Sequence, residues 1–137
     1  MDKRALKTPH KRVMVIDDTY IDRLVAEKAL IRSSFTESVI NMESAPEALE
    51  YLQSMQNNMS QLPEFIFLDI NMPEMNGFEF LDAYKELPEE VKNNCIIVMV
   101  TSSLDPEDRE RTKNNPYVHG FINKPLNEER LKNILDK

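Results

Sequence analysis

Several residue types that usually define a protein's class are scarce in this sequence. Its 137 residues include one cysteine, Cys95, which excludes an internal disulfide, and the place of this thiol at the start of an apolar run predicts a structural role. No apolar stretch approaches the roughly 18 residues needed to span a bilayer, and no signal-peptide core follows the basic start. We therefore expect no membrane association and predict a cytoplasmic location.

Glycine and basic residues are scarce as well. Two glycines stand where average usage would give roughly ten. Acidic residues outnumber basic ones by 24 to 17, for a net charge of −7, which argues against nucleic acid or an anionic membrane as the main partner. Residues 1–12 nevertheless hold five bases and one acid. We predict a solvated basic tail at residues 1–11, followed by one domain at residues 12–137.

The sequence does contain a regular alternation of short apolar runs and amphipathic segments. Three of the runs are apolar throughout, as expected for strands that are buried on both faces of a parallel sheet. Another run has Asn41 in its middle, which suits a strand at the sheet edge. The predicted strands are Val13–Ile16, Ser38–Met42, Phe65–Leu68, Cys95–Val100 and Gly120–Ile122.

A helix-start signal follows each predicted strand. The first helix begins at Thr19, with Asp22 in the acidic position of a capping box, and extends to about Ser33. The second carries apolar residues from Ala48 to Met59. The other start signals are Ser44 with Pro46, Gly77, Asp105 with Pro106, and Asn127 with the hydrophobic staple Leu126 and Leu131.

The fourth of these helices lacks an apolar face. Residues 105–116 contain no large apolar side chain, although helices in proteins draw most of their stability from burying one. We predict a helix of about two to three turns that is marginally stable and is the most mobile of the five.

Five consecutive βα units with short connections predict an α/β fold. The expected architecture is a flavodoxin-like, doubly wound, five-stranded parallel sheet, (βα)5, with strand order 2-1-3-4-5 and helices on both faces. This order leaves the polar second strand on an edge, as its composition suggests.

Polar residues follow the strands at the points where ligands bind in such sheets. Asp17-Asp18 ends the first strand, Asp69 the third, Thr101-Ser102-Ser103 the fourth and Lys124-Pro125 the fifth. Three neighbouring carboxylates repel one another, and a hard divalent cation such as Mg²⁺ relieves that repulsion. A carboxylate can also act as a nucleophile that forms an acyl phosphate. The pattern therefore predicts a Mg²⁺ and phosphoryl site with Asp69 at its centre.

Over residues 12–136 the chain resembles the receiver domains of two-component response regulators. The resemblance implies that Asp69 accepts a phosphoryl group and binds Mg²⁺ together with Asp18, that Asp17 acts largely through water, and that the backbone carbonyl of Asn71 completes the metal site. It further implies phosphoryl contacts from Thr101 and Lys124, a switch aromatic at Phe121 and a cis Lys124-Pro125 peptide bond. The matching residues are Asp17, Asp18, Asp69, Asn71, Met72, Pro73, Gly77, Thr101, Phe121, Lys124 and Pro125.

As a receiver, the chain is expected to be a signalling domain and not an enzyme, although it would promote its own phosphorylation and slow dephosphorylation. Its implied partners are a sensor histidine kinase or histidine phosphotransfer protein, a downstream target, and a second copy through the face of helix 4, strand 5 and helix 5. No DNA-binding or enzymatic output segment is expected. Two alternatives stay open: a receiver-like adaptor that is not phosphorylated, and an Asp-nucleophile phosphatase of the haloacid-dehalogenase type. The second alternative expects an acid where Asn71 stands.

Overall fold

The computed structural model describes residues 10, 12–102 and 105–135 of the chain. Most of the predicted basic tail, together with Ser103, Leu104 and residues 136–137, lies outside these ranges. His10, inside the predicted tail, forms a parallel bridge with Thr36. The described elements are β1 Val13–Ile16, α1 Tyr20–Arg32, β2 Val39–Met42, α2 Ala45–Ser54, β3 Phe65–Asp69, α3 Gly77–Tyr84, α4 Glu89–Asn94, β4 Ile96–Thr101, α5 Pro106–Lys113, β5 Val118–Asn123 and α6 Glu128–Leu135.

The five strands form one parallel sheet in the order β2-β1-β3-β4-β5. The predicted flavodoxin-like fold and strand order are thus confirmed. β2 lies on the edge, where the side chain of Asn41 is exposed. Since all strands run the same way, their carboxyl ends lie along one edge of the sheet. No helix within the described ranges has the length and apolar character needed to cross a membrane.

Side-chain alternation along the strands divides the core into two layers. On one face of the sheet, Met14 and Ile16 of β1 belong to the apolar cluster that includes α2 and α3. On the other face, Val13 and Val15 belong to the cluster that includes α1 and α6. The strands β1, β3 and β4 are buried on both faces, and this is why their sequences are apolar throughout.

One helix prediction was wrong in its extent, and one helix was not predicted. α2 ends at Ser54, and Met59 lies beyond it in a short 3-10 turn, about one third exposed. The polar Asn57-Asn58 pair favours a turn there over further helix. The sequence analysis also did not predict α4, a six-residue helix that precedes β4 and is anchored by the fully buried Val91. The helix after β4 is consequently α5, and the last helix is α6.

The helix caps confirm all but one of the predicted start signals. The exception is the capping box of α1, because the side chain of Thr19 makes no capping hydrogen bond. The carboxylate of Asp22 is instead bonded to Lys124. Three caps accept hydrogen bonds from backbone N–H groups as expected: Ser44 from Glu47, Asp105 from Glu107, and Asn127 from Arg130. At the helix start signalled by Gly77, the cap is Asn76, which accepts from Glu79 in a full capping box that was not predicted.

α5 has eight residues, in agreement with the predicted two to three turns, and its one buried side chain is Thr112. In place of an apolar face, α5 has two arginines whose guanidinium groups lie over aromatic rings. Arg109 lies 5.3 Å from the ring centre of Phe121, and Arg111 lies 3.9 Å from that of Phe78. Such contacts contribute roughly 0.5–2 kcal/mol each, so a small number of side chains hold α5 against β5 and α3.

We expect Arg111→Ala to weaken the attachment of α5 without unfolding the domain. Amide hydrogen exchange at residues 107–113 should then be several-fold faster than in the wild type, with α6 unchanged, because the closest stacking contact of the helix is lost. Lys113→Ala, on an exposed position of the same helix, serves as the control. Protection of α5 as strong as that of α6 in the wild type would contradict the account of a weakly held helix.

Candidate functional site

The carboxyl ends of β1 and β3 bring three acids together. Asp17, Asp18 and Asp69 each offer a carboxylate oxygen, and these oxygens lie within 4.8 Å of one another. Asp17 and Asp69 are buried, whereas Asp18 is exposed, so the cluster opens toward solvent on the side of Asp18. A group of hard oxygen donors with an open side fits Mg²⁺, which binds through a few carboxylates and keeps several waters.

Asp69 ends a fully apolar strand, and the environment raises its pKa to about 6. Burial is the largest cause and the negative charge of Asp17 is the next, while Lys124 and a hydrogen bond from the backbone of Asn71 act in the opposite direction. Since this pKa still lies below 7, the carboxylate is mostly ionised at neutral pH even without a cation. Asp69 is therefore a buried, charged carboxylate at the carboxyl end of β3.

Gly77 fixes the loop that follows Asp69. A Cβ atom at this position would lie 2.7 Å from the backbone oxygen of Asp69 and 3.0 Å from the Cα of Ile70. The N–H of Gly77 donates a 2.8 Å hydrogen bond to the Ile70 carbonyl. The close approach of α3 to the acidic loop thus requires the residue without a side chain.

Lys124 supplies the positive charge of the site. Its Nζ lies 2.8 Å from Asp17, 2.8 Å from Asp22 and 3.5 Å from Asp69. Burial alone would lower the pKa of Lys124, but the hydrogen bonds to Asp17 and Asp22 outweigh it, and the pKa is raised above its ordinary value. The peptide bond between Lys124 and Pro125 is cis. The Lys124 N–H donates to the carbonyl of Thr101, which ties the end of β5 to the end of β4.

Thr101 lies on β4, next to β3, and Phe121 lies on β5, the following strand of the sheet. Thr101 is fully buried at the end of β4, one residue beyond the partner of Asp69 in the β3–β4 register. Phe121 is half-buried on β5, under the guanidinium of Arg109. Strand order thus brings Thr101 to the edge that holds Asp69 and Lys124, and Phe121 connects β5 to α5. Ser102 follows Thr101 and is exposed.

A cavity of about 350 Å³ adjoins the acids and Lys124. Its lining combines charged groups with apolar side chains of α1, β1, β3, β4 and the loop before α6. Its lining residues include Asp17, Asp22, Asp69, Lys124, Val25, Phe67 and Leu126.

Asp22 is a site residue that the sequence analysis did not identify as one, since it was interpreted as part of a helix cap. Its carboxylate pairs with Lys124, 102 residues away in the sequence. The predicted topology nevertheless indicated that Asp22 belongs to the site. The first turn of α1 directly follows the carboxyl end of β1, and an acid there lies at the same sheet edge as the other polar residues.

Comparison with known proteins is consistent with this geometry. Two-component response regulator ORR1 of rice (Oryza sativa subsp. japonica) is 35% identical over 127 residues, which are 89% of this chain and 54% of the relative, so the chain spans about half of that protein's length. A two-component response regulator from Cytophaga hutchinsonii superposes with a TM-score of 0.85 at 28% identity, covering 93% of this chain and 96% of the other. A response regulator receiver protein from Dyadobacter fermentans gives 0.81 at 33% identity, covering 92% and 95%.

The family profile described as the response regulator receiver domain matches residues 13–136, which is nearly the whole chain. The family predicted from the residues at the strand ends is thereby confirmed, together with its general role as a signalling domain. By fold and by sequence, this chain belongs to the response regulator receiver domain family.

Proposed function

We propose that the chain accepts a phosphoryl group on Asp69 from a phosphohistidine of a sensor histidine kinase or histidine phosphotransfer protein, and that it signals through protein contacts that depend on this phosphorylation. The observation that carries the proposal is the position of Asp69. It is a buried carboxylate between two further acids and a lysine, at the sheet edge where ligands of this fold bind.

In the proposed transfer, a carboxylate oxygen of Asp69 attacks phosphorus while the bond from phosphorus to the histidine nitrogen breaks, so that an acyl phosphate forms. Mg²⁺ held by Asp17, Asp18, Asp69 and the backbone carbonyl of Asn71 would offset the negative charge of the phosphoryl oxygens. Lys124 and the hydroxyl of Thr101 would bind those oxygens after transfer. The same groups would support the slow hydrolysis that resets the domain.

Asp17 is suited to an indirect role toward the cation. One of its oxygens accepts a hydrogen bond from the Thr19 N–H, and the other lies 2.8 Å from Lys124. With both oxygens already engaged, Asp17 would act mainly through water. Asp18, which is exposed beside it, would bind directly together with Asp69.

The output of the domain is proposed to pass through α5, β5 and α6. Thr101 is separated from the start of α5 by a few residues, and Phe121 lies under Arg109 of that helix. A movement of Thr101 toward a phosphoryl group would therefore displace a weakly held element. This face is the proposed site for a downstream target or a second copy of the chain, and the cytoplasmic location stays a prediction of the sequence analysis.

Asn71 disfavours the alternative of a phosphatase, because that class expects an acid at this position. The adaptor alternative is disfavoured by the complete set of acids, threonine and lysine. Incubation with acetyl phosphate and Mg²⁺, followed by intact mass, separates the three classes. We expect the addition of one labile phosphoryl group. An unchanged mass would favour the adaptor, and rapid release of phosphate from many small phosphate esters would favour the phosphatase.

Mg²⁺ should stabilise the folded domain, since it relieves the repulsion among the three carboxylates and binds the native state alone. The chain has no tryptophan, so the melts are followed by circular dichroism. We expect a millimolar Mg²⁺ concentration to raise the melting midpoint of the wild type by a few degrees, and Asp18→Ala to lose most of that increase. Asp82→Ala, at an exposed position of α3, should keep it. An equal increase in the wild type and Asp18→Ala would place the cation elsewhere.

A further inference from the structure

The ammonium group of Lys124 lies closer to an acid of α1 than to the acid at the centre of the site. Its Nζ is 2.8 Å from Asp22 and 3.5 Å from Asp69. The side chain of Asp22 is 39% exposed, whereas that of Lys124 is 17% exposed. Lys124 therefore pairs more closely with Asp17 and with Asp22 of α1 than with the proposed nucleophile.

The contact with Asp22 is one of three that join the start of α1 to the site. The guanidinium of Arg23 donates a 2.8 Å hydrogen bond to the Asp17 carbonyl, and a carboxylate oxygen of Asp17 accepts from the Thr19 N–H at 2.9 Å. The Asp22 carboxylate bonds Lys124 and not the start of its own helix, and α1 begins without a side-chain cap hydrogen bond.

We propose that Asp22 is a positioning residue that holds Lys124 in the unphosphorylated state and competes with the phosphoryl group for it. An ammonium has three N–H donors. The Nζ of Lys124 lies at hydrogen-bond distance, 2.8 Å, from both Asp17 and Asp22, and makes a longer ion pair of 3.5 Å with Asp69. A close bond to a phosphoryl group on Asp69 would draw Lys124 away from one of its two near partners. Asp22 is the carboxylate that can release it most readily, because it is the most exposed of the three and can be solvated by water when the pair opens.

The negative charge of Asp22 disfavours a phosphoryl group in the site, as does its competition for the Lys124 donor. A carboxylate beside Lys124 adds negative potential where an anionic phosphoryl group must bind. Removing this charge frees the ammonium and reduces the repulsion, so both effects favour the bound phosphoryl group. Phosphorylation would in turn release Asp22 and loosen the first turn of α1, which links the phosphorylation state to a helix on the far side of the sheet from α2 and α3.

The test compares Asp22→Asn with the wild type by titrating beryllofluoride, a phosphoryl mimic, in saturating Mg²⁺ and following amide NMR shifts. This inference rests on the proposed function, so the wild type must bind the mimic. We expect Asp22→Asn to bind it about threefold to fivefold more tightly, the range expected for a partly exposed ion pair. Glu27→Gln removes the same charge from the same helix, where Glu27 bonds Asn41 and not Lys124, and should leave the affinity unchanged.

Chemical unfolding without Mg²⁺ or beryllofluoride tests the contact itself. In a cycle of Asp22→Asn, Lys124→Gln and the double variant, the changes in unfolding midpoint should not add, since each single variant already breaks the pair. Additive changes would overturn the inference, as would a mimic affinity of Asp22→Asn that equals or falls below that of the wild type, or a gain in Glu27→Gln of the same size. Absence of binding by the wild type would instead overturn the proposed function, and this inference with it.

Discussion

Asp69→Asn is expected to accept no phosphoryl group from acetyl phosphate or from a phosphohistidine donor, while the fold stays intact. Asparagine has nearly the same shape as aspartate but lacks the nucleophilic carboxylate. Intact mass after incubation with the donor and Mg²⁺ measures the loss. Asp82→Asn, which removes an exposed carboxylate of α3, should be phosphorylated like the wild type. A phosphoryl group that persists on Asp69→Asn would show that another residue is the acceptor.

The same substitution should stabilise the domain when no cation is present. The folded-state pKa of Asp69, about 6, lies above the ordinary value of 3.8. Between about pH 4 and pH 6, the folded wild type therefore keeps the proton of Asp69, which the unfolded chain has lost. The free energy of unfolding of the wild type falls as the pH rises through this range. Asp69→Asn has no carboxyl proton to lose, so its free energy of unfolding does not fall in this way. Near pH 7 the variant should be more stable than the wild type by roughly 1–2 kcal/mol after discounting for solvent screening.

Chemical unfolding at a series of pH values measures this difference. The free energies of unfolding of the wild type and Asp69→Asn should diverge between about pH 4 and pH 6 and stay apart above it. Saturating Mg²⁺ should reduce the difference, since the cation stabilises the charged carboxylate. A difference between the two proteins that does not change with pH would contradict the raised pKa of Asp69.

Lys124→Ala should have the second-largest effect, and it should affect both stability and switching. Asp17, Asp22 and Asp69 would lose their shared counter-charge, and two of these acids are buried in the absence of a cation. We expect a destabilisation of roughly 2–3 kcal/mol by chemical unfolding. The changes in NMR shifts that phosphorylation causes in α5 and β5 should also be smaller than in the wild type. The expected loss of coupling free energy between the site and these elements is roughly 1–3 kcal/mol.

Lys92→Ala is the control for a paired lysine outside the site. Lys92 of α4 bonds the Glu89 carboxylate at 3.0 Å and the Lys85 carbonyl at 2.7 Å, remote in sequence and topology from the acids at the sheet edge. Its loss should leave the shifts on phosphorylation unchanged. If Lys124→Ala responds to phosphorylation with shifts of wild-type size and location, Lys124 is not the link between the site and the output face.

The parts of the fold that follow from local rules could be predicted from the sequence. Parallel strands that are buried on both faces need apolar residues throughout, and this requirement allowed β1, β3 and β4 to be predicted. The carboxyl ends of parallel strands lie at one edge, which is why Asp17, Asp69 and Lys124 could be assigned to one site before any coordinates. These inferences depend on the order of the strands and not on side-chain detail.

The remaining features depend on long-range partners that local patterns do not encode. Asp22 fits a helix cap by position, and the nearby ammonium group of Lys124, 102 residues later, decides its actual role. α4 carries one apolar anchor, Val91, which is too little for a periodic signal. The helix α5 was correctly predicted to lack an apolar face, but the aromatic partners of its arginines, Phe78 and Phe121, come from distant segments.

The most direct test of the account is to locate the phosphoryl group after transfer from a phosphohistidine donor. Borohydride reduction converts an aspartyl phosphate to homoserine, and peptide mass spectrometry then identifies the residue. The account predicts a single modified position, Asp69, in a reaction that requires Mg²⁺ and is absent in Asp69→Asn. Homoserine at Asp17 or Asp18, or no modified aspartate at all when the donor is intact and Mg²⁺ is saturating, would contradict it.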